Sequence, residues 1–355
     1  MARRQQYIFS EAPRRGRGFL ISFLVVLLIL LAGLSTWNFA LNHSVKYDKQ
    51  YVTVTNLPSD LENWTILHLS DLNGASLGEN QSALKKALAS RSFSCVVLSG
   101  GMVGKAGNVQ PLLDLIGIFP KGTPILLLPS AGDPPLYATS AHASLSPYAD
   151  WAATLQAAGV TILDEPVCFE RGKAKIWFVP ESLYSLNLDS SEMAYRNQLD
   201  TLNAAVGDLT ADQAALRRTA EYQLERIARI RESIAAIGTK DIQIAVSHYP
   251  LTRDYVARAK AAVPATTRFS MHNVSLVLAG GYVGGQWRLP GGGPIYVPGK
   301  GFFPDDATMQ GLGYLGGVWQ HVSPGLDVNP IYPLPPFRLF NSPAATMLVL
   351  SSSVH

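Results

Sequence analysis

Asp71, Asn73, Asp133 and His248 are the residues whose types and places could do chemistry. Asp71 and Asn73 close ILHLSDLNG at 66–74. Asp133 lies in PILLLPSAGDP at 124–134, and His248 in IAVSHYP at 244–250. Two further apolar runs end in glycine pairs, VVLSGGMVG at 96–104 and LVLAGGYVGGQ at 276–286. In a sheet whose strands alternate with helices, the carboxyl ends of the strands gather where ligands bind. The four polar residues would then line one pocket. Gly100, Gly101, Gly280 and Gly281 would leave it roomy, and their amides would cradle an anion. Lys105 and Arg288 are near enough in sequence to add positive charge. A plainer reading has Asp71 capping the turn after its strand and His248 bonded to backbone.

Other chemistries lack their signatures. No Ser-His-Asp triad, Cys-His pair, P-loop or zinc ribbon stands out, and SHYP is no hydrolase elbow because G-x-S-x-G is absent. His68 falls inside an apolar strand and is expected buried. His43, His142, His272 and His321 lie outside the five segments. Cys95 and Cys168 read as buried or half-buried thiols, with a disulfide left open.

The elements that must hold these residues alternate. WTILHLS, CVVLSG, TPILLLP and VTILDE read as strands, and VKYDKQYVTVTNL as one before them. QSALKKALASR, NVQPLLDLIGIF and SPYADWAATLQAAG read as the helices between them. This pattern predicts a mainly parallel sheet. VCFERGKAKIWFV reads as a hairpin. IQIAVSH, VSLVLAG, GPIYVP and ATMLVLSS return to strands after 240. Residues 189–238 interrupt them with an inserted helical hairpin. Asp189 and Glu192 start one helix, which Val206 and Gly207 close. Thr210 and Gln213 make a capping box for the second, which Gly238 is placed to end. Arg217, Arg218, Arg226, Arg229 and Arg231 give it a basic face. The hairpin either packs on its own domain or offers an arm to a protein or anionic lipid partner.

The five segments, in this order, resemble the calcineurin-like metallophosphoesterases, in the membrane-anchored branch of that family. VTNLP at 54–58, GGQWRLPGGGPIYVPGKG at 284–301 and VSPGLDVNPIYPLPPFRLFNSP at 322–343 extend the likeness to about residues 50–350. The resemblance implies an α/β sandwich of two mixed β-sheets flanked by helices. It also implies a site for two metals that clamp a phosphate and generate hydroxide. In that family the segments read D-x-H, G-D, G-N-H-[DE], H and G-H-x-H. Here Asp71 stands, but Asn73 replaces the next ligand and Gly101 the bridging aspartate. Ala131 and Gly132 replace Asn and His, and Asp133 keeps its place outside the ligand set. His248 stands, while Gly281 and Val283 replace both last histidines. Only Asp71 and His248 remain as metal ligands, one for each ion, and stable transition-metal sites need about three. The resemblance therefore implies a degenerate enzyme, a pseudoenzyme that binds a ligand or partner, with no cofactor expected. The alternative is an active phosphoesterase with a rearranged site and a divalent metal pair, acting on a lipid-linked or cell-envelope phosphoester.

Residues 18–41 are uncharged and rich in Leu, Val and Ile, long enough to cross a bilayer as a helix. Arg3, Arg4, Arg14, Arg15 and Arg17 precede them. Against Glu11 they give residues 1–17 a local +4, which leaves the rest of the chain at −1 of the total +3. The positive-inside rule then predicts a basic cytoplasmic tail at 1–17, a single-pass signal anchor at 18–41 and a domain at 44–355 outside the cell membrane. A cleaved signal peptide, cut after the small residues Gly33 and Ser35, is the other reading. A main domain without basic excess gives no support for nucleic-acid binding.

Overall fold

The computed structural model describes residues 15–138, 146–204 and 208–353. Arg3, Arg4, Arg14, His142, Val206 and Gly207 lie outside them. Two six-stranded mixed sheets face each other, and helices cover their outer sides. The first sheet has the order β1-β14-β2-β3-β4-β5. It comprises β1 (Lys46–Thr53), β14 (Ala344–Ser351), β2 (Thr65–Leu69), β3 (Cys95–Leu98), β4 (Ile125–Leu127) and β5 (Val160–Ile162). The second has the order β12-β13-β9-β8-β7-β6. Its strands are β12 (Gly311–Leu315), β13 (Val318–Val322), β9 (Val274–Ala279), β8 (Ile242–Val246), β7 (Ala174–Pro180) and β6 (Val167–Arg171). A short pair, β10 (Tyr296–Val297) and β11 (Gly301–Phe302), stands apart. The helices are α1 (Arg15–Asn42), α2 (Ser82–Leu88), α3 (Gln110–Ile116), α4 (Asp150–Ala157), α5 (Leu188–Asn203), α6 (Ala211–Ala236) and α7 (Arg253–Ala261).

The two-residue period of a strand explains why the sandwich closes. Ile66, Cys95, Val97, Leu126 and Leu348 of the first sheet share one buried cluster with Ile176, Phe178, Ile244, Val246, Leu276 and Leu278 of the second. The alternate residues Leu67, Leu69, Val96, Leu98, Ile125 and Leu127 pack with Leu84, Leu112 and Leu155 of α2, α3 and α4. On the far side, Ala245 and Val277 pack with Val256 of α7. Both sheets are covered on both faces, which is why their strands read as continuous apolar runs.

The helical insertion is present, with the capping box at Thr210 and Gln213 in place. Gly238 does not cap it. The helix ends at Ala236 and Ile237 is extended, while the Gly238 amide goes to the Asp241 carboxylate at 2.8 Å. Of the two helices, α6 docks on the domain. Ala220, Ile227 and Ile230 are buried, and Ile230 packs with Trp177 and Leu183. Asp164 accepts from Tyr137, Tyr148 and Tyr222, and Arg226 donates to the Asp164 carbonyl. No residue of α5 is buried; it lies against α6. The basic face is largely matched: Arg217 pairs with Glu221, Arg229 with Glu165, and Arg231 with Asp189 and Glu192.

His68 and His321 meet between the sheets, Nδ1 to Nδ1 at 2.7 Å, and His68 Nε2 bonds Ser99 Oγ at 2.8 Å. Both rings are fully buried, and His321 Nε2 has no partner. Burial first, and the neighbouring ring second, hold His68 well below the imidazole range; burial brings His321 down to about 3. The unfolded chain takes up these protons near pH 6.5 and the folded one does not. Their contribution to stability is therefore whole above about pH 6.5 and falls as pH drops towards 3. Each group adds a slope of up to about 1.4 kcal/mol per pH unit in that window. Urea midpoints at pH 7 and pH 5 should diverge more for the wild type than for a His68→Leu, His321→Leu variant. Equal divergence would show that the pair does not carry the acid sensitivity. Comparing the two proteins cancels the opposite drift from buried carboxyls such as Glu181, which burial pushes up.

Both cysteines are free, Cys95 in the first sheet and Cys168 in the second. Burial raises their thiols to about 12 and about 11, so neither is a ready nucleophile at neutral pH.

Candidate functional site

The carboxyl ends of β2, β3, β4, β8 and β9 do converge, and backbone bonds tie them together. The Asp71 amide donates to Gly100 O at 3.0 Å and the Asn73 amide to Gly101 O at 2.7 Å. The Gly280 amide donates to His248 O at 2.8 Å, joining the second sheet's two loops. Asp71 then crosses between sheets: its Oδ2 accepts from Ser70 Oγ at 2.6 Å and from the Gly281 amide at 2.9 Å. Asp71 and Asn73 adopt positive φ, which short polar side chains tolerate.

His248 reaches back to the first sheet, with Nδ1 bonded to Ser99 O at 3.0 Å. Its Nε2 lies 4.0 Å from Asp71 Oδ1. That Oδ1 is fully buried and makes no hydrogen bond. Burial drives the Asp71 carboxyl upward; His248, Ser70, the Gly281 amide and Arg338 pull the other way. Asn73 gives its Nδ2 to Val328 O at 2.6 Å.

Asp133 has a different task. Its Oδ1 accepts from the amides of Val103 and Gly104, and its Oδ2 from those of Gly101 and Ser130 and from Ser130 Oγ. One buried carboxylate thus fixes the loops after β3 and β4 to each other. A carboxylate with five donors is already satisfied.

The glycines do not leave the roomy pocket that the sequence suggests. A Cβ on Gly100 would lie 2.4 Å from His248 Nδ1, and one on Gly280 2.5 Å from Ser70 Oγ. On Gly281 it would lie 2.5 Å from the Tyr249 ring. Glycine lets these chains close on one another. Nor are the amides of Gly101, Gly280 and Gly281 free to cradle an anion: Gly281 serves Asp71, Gly280 serves His248 O, and Gly101 serves Ser130 and Asp133. Arg288 is also elsewhere, buried and paired with Asp306 at 2.7 Å.

Positions of the first sheet keep the geometry of a site. A Cβ on Gly101 would stand 3.0 Å from Asp71 Oδ1 and 3.4 Å from Asn73 Oδ1, facing both. One on Gly132 would be 3.4 Å from Ser130 Oγ and 4.0 Å from Asn73 Oδ1. Ala131 is exposed and, with Lys105, Ser130 and Asp133, lines a cleft of about 760 Å³ that Arg226 of α6 walls on the other side. Val283 lies away from these residues. It is fully buried with Val297, Met309 and Tyr332, at a positive φ of 44° that β-branched residues rarely adopt.

The donor set does not fit a metal pair. Asp71 and His248 offer one carboxylate and one imidazole, the Asp133 carboxylate is taken up by its five donors, and no side chain with a ligand atom stands at 101, 131, 132, 281 or 283. Among the described residues, no group of three or more His, Cys, Asp or Glu is placed to hold an ion.

Four more residues of this neighbourhood have no role that their residue types alone assign. Tyr249 covers Gly281, and Asn329 Nδ2 bonds Gly281 O at 2.7 Å. The Asp327 amide bonds Asp71 O at 2.7 Å. Arg338 is buried beside them. Its Nη1 bonds Asp327 O, while Nε and Nη2 bond the carbonyls of Asn341, Pro324 and Ser342. Tyr249 lies within IAVSHYP, and the other three lie within the segment 322–343, some eighty residues on.

No family model and no curated protein matches the chain. Among solved structures, the chain is similar to phosphopantetheinyl hydrolase from Mycobacterium tuberculosis. The likeness has a TM-score of 0.36 and 14% identity, over 74% of this chain and 89% of the other.

Proposed function

We propose that the chain is a membrane-tethered protein of the calcineurin-like metallophosphoesterase type whose two-metal site is degenerate, and that it works outside the cytoplasm as a binding or interaction module. The carrying observation is the place above Gly281. The Tyr249 ring fills the space that a ligand side chain there would need, and Val283, two residues on, is turned into the core. A chain that had merely lost side chains would keep their room. The cleft beside Ala131, polar at Lys105, Ser130 and Arg226 and walled by the hairpin, is the surface such a module would offer a ligand.

Elemental analysis of the full chain, purified from metal-replete cells, should find no stoichiometric transition metal. One or two tightly held ions per chain would overturn the pseudoenzyme reading. A second reading keeps one observation in its favour: Asp71 Oδ1 is buried without a partner, 4.0 Å from His248 Nε2. In that reading the chain is an active phosphoesterase with a rearranged site. Its mark would be manganese-dependent hydrolysis of an aryl phosphodiester that vanishes in an Asp71→Ala, His248→Ala variant.

One helix, Gly18–Asn42, is long and apolar enough to span a membrane, with a mean hydropathy of 2.7 in its most apolar window. With arginines before it, the N-terminus is cytoplasmic and the domain extracytoplasmic. Protease added to intact cells should then cut in the exposed α5 region. Cleavage there only after lysis would reverse the topology. A soluble product lacking the first 35 residues would instead mark the span as a cleaved signal.

A further inference from the structure

Beside the end of α1, four extended segments lie in a row. Leu339 pairs with Trp287, the Ile295 amide donates to Trp287 O at 2.8 Å, and the Phe303 amide donates to Ile295 O at 2.9 Å. The row alternates the wrong way for water. In WRL at 287–289, Arg288 is 7% exposed and Leu289 45%. In FRL at 337–339, Arg338 is 4% exposed and Phe337 46%. Phe302 and Phe303, at the row's edge, are 72% and 66% exposed. A half-buried ribbon in water turns its apolar residues in and its charges out. This one buries two arginines and shows its aromatics. Single exposed apolar residues are ordinary, but these adjoin: Tyr296 to Phe302 is 5.0 Å, Phe302 to Phe303 6.4 Å and Trp287 to Phe337 5.1 Å between ring centres.

The position of α1 says what covers this face. Asn42 Nδ2 bonds Arg338 O at 2.6 Å, Asn38 Oδ1 accepts from the Phe340 amide at 2.7 Å, and the Trp37 ring lies 5.4 Å from Phe340. Leu31 and Leu34 of α1 share an apolar cavity of about 740 Å³ with Phe337 and Leu339. A hydrocarbon layer takes about 20 helical residues. Counted from Gly18, it ends close to Trp37. The ribbon therefore meets α1 at the outer boundary of that layer. We propose that the face formed by Leu289, Phe302, Phe303 and Phe337 dips into the outer interface of the bilayer that α1 crosses, and so fixes the domain's orientation on the membrane. Aromatic side chains are at home at that depth. The brace of the site belongs to the same region: Leu326, Asp327 and Val328 line the cavity and bond Ser70, Asp71 and Asn73. The site is thereby held within one chain segment of the lipid surface. The inference rests on the reading that α1 spans a membrane.

The test uses the full chain with Cys168→Ser, the buried Cys95 being left, in vesicles of phosphatidylethanolamine and phosphatidylglycerol. Single nitroxides are placed through Phe303→Cys, Phe337→Cys, Leu27→Cys and Tyr314→Cys, the last an exposed position on β12. Each label's collisions with oxygen and with a water-soluble nickel chelate are compared. The oxygen-to-nickel ratio should be several-fold higher at 303 and 337 than at 314, and high at 27. A high ratio at 27 with equal ratios at 303, 337 and 314 would overturn this inference alone. A low ratio at 27 would overturn the spanning reading and this one with it. Labels at 303 and 337 shielded from both reagents would mean that a protein or a second copy covers the face, which also overturns it. All four positions are exposed, so the substitutions leave the folded core untouched.

Discussion

Gly281→His will destabilise the domain by roughly 2–5 kcal/mol, the sum of a left-handed backbone forced on a side chain and of overpacking against a filled site. Gly281 has a φ of 79°, and a Cβ there would meet Tyr249 at 2.5–2.6 Å and His248 O at 3.1 Å. Thermal melts of the purified full chain measure this, with Gly281→Ala showing the same sign at smaller size. Adding Tyr249→Ala should return part of the loss by emptying the space. A Gly281→His protein as stable as the wild type would show that Tyr249 swings away freely, and the site would then be open to repair. The other substitutions that would rebuild a family-type ligand set divide in two. Gly101→Asp would set a carboxylate against buried Asp71 at a φ of 64°, its Cβ 3.3 Å from the Asp71 Cα, whereas Gly132→His has room. Val283→His would put an imidazole among Val297, Met309 and Tyr332. Gly132→His is therefore expected to be tolerated, whereas Gly101→Asp and Val283→His should each cost stability.

Arg338→Ala is expected to cost about 3–5 kcal/mol, the usual loss when a buried, hydrogen-bonded charge is cut from its partners. Arg338 is 4% exposed, and its guanidinium bonds the carbonyls of Pro324, Asp327, Asn341 and Ser342. Its environment is dry enough to bring it down to about 10 from the usual arginine range, although Asp327 and Asp71 hold it up. Arg338→Lys should not restore the loss, because one ammonium cannot span the fork of acceptors. Chemical unfolding of the full chain in detergent tests both variants; full rescue by lysine would show that charge alone, not the fork, matters.

The strands were legible where both faces are buried. WTILHLS, CVVLSG, TPILLLP, VTILDE, IQIAVSH, VSLVLAG and ATMLVLSS all became strands of the two sheets. Their apolar runs record burial against the opposite sheet and against helices at once. The reading from 45 to 57 ran too long, because β1 stops at Thr53 and a turn follows. Missed were β12 and β13, whose turn at Gly316 and Gly317 was a sound hairpin signal flanked by weak alternation. The short α7 went unnoticed as well; Val256 is its one buried residue. For the site, the motif ends fixed which loops meet, since strand ends in parallel sheets must gather. They could not show what fills the glycines' space. Ser70 against Gly280 is a contact across the sheets between residues 210 apart, and Tyr249 over Gly281 joins the loops after two neighbouring strands, β8 and β9; no local pattern encodes either partner.

The pairing of β1 with β14 governs the order in which the molecule can be made. Eight residues from Lys46 to Thr53 lie in parallel register with Ala344 to Ser351. The strand that follows α1 thus waits for one synthesised some 300 residues later, and β14 is also the neighbour of β2. Until then the first sheet lacks the strand that separates β1 from β2, and loop closure over that distance is slow. On the proposed reading of α1 as a membrane span, a chain made from its N-terminus is already anchored when this gap is widest. Such a span would keep each unfinished chain at the membrane, apart from its neighbours in bulk solution, during the interval in which an unpaired sheet edge would otherwise seek another copy.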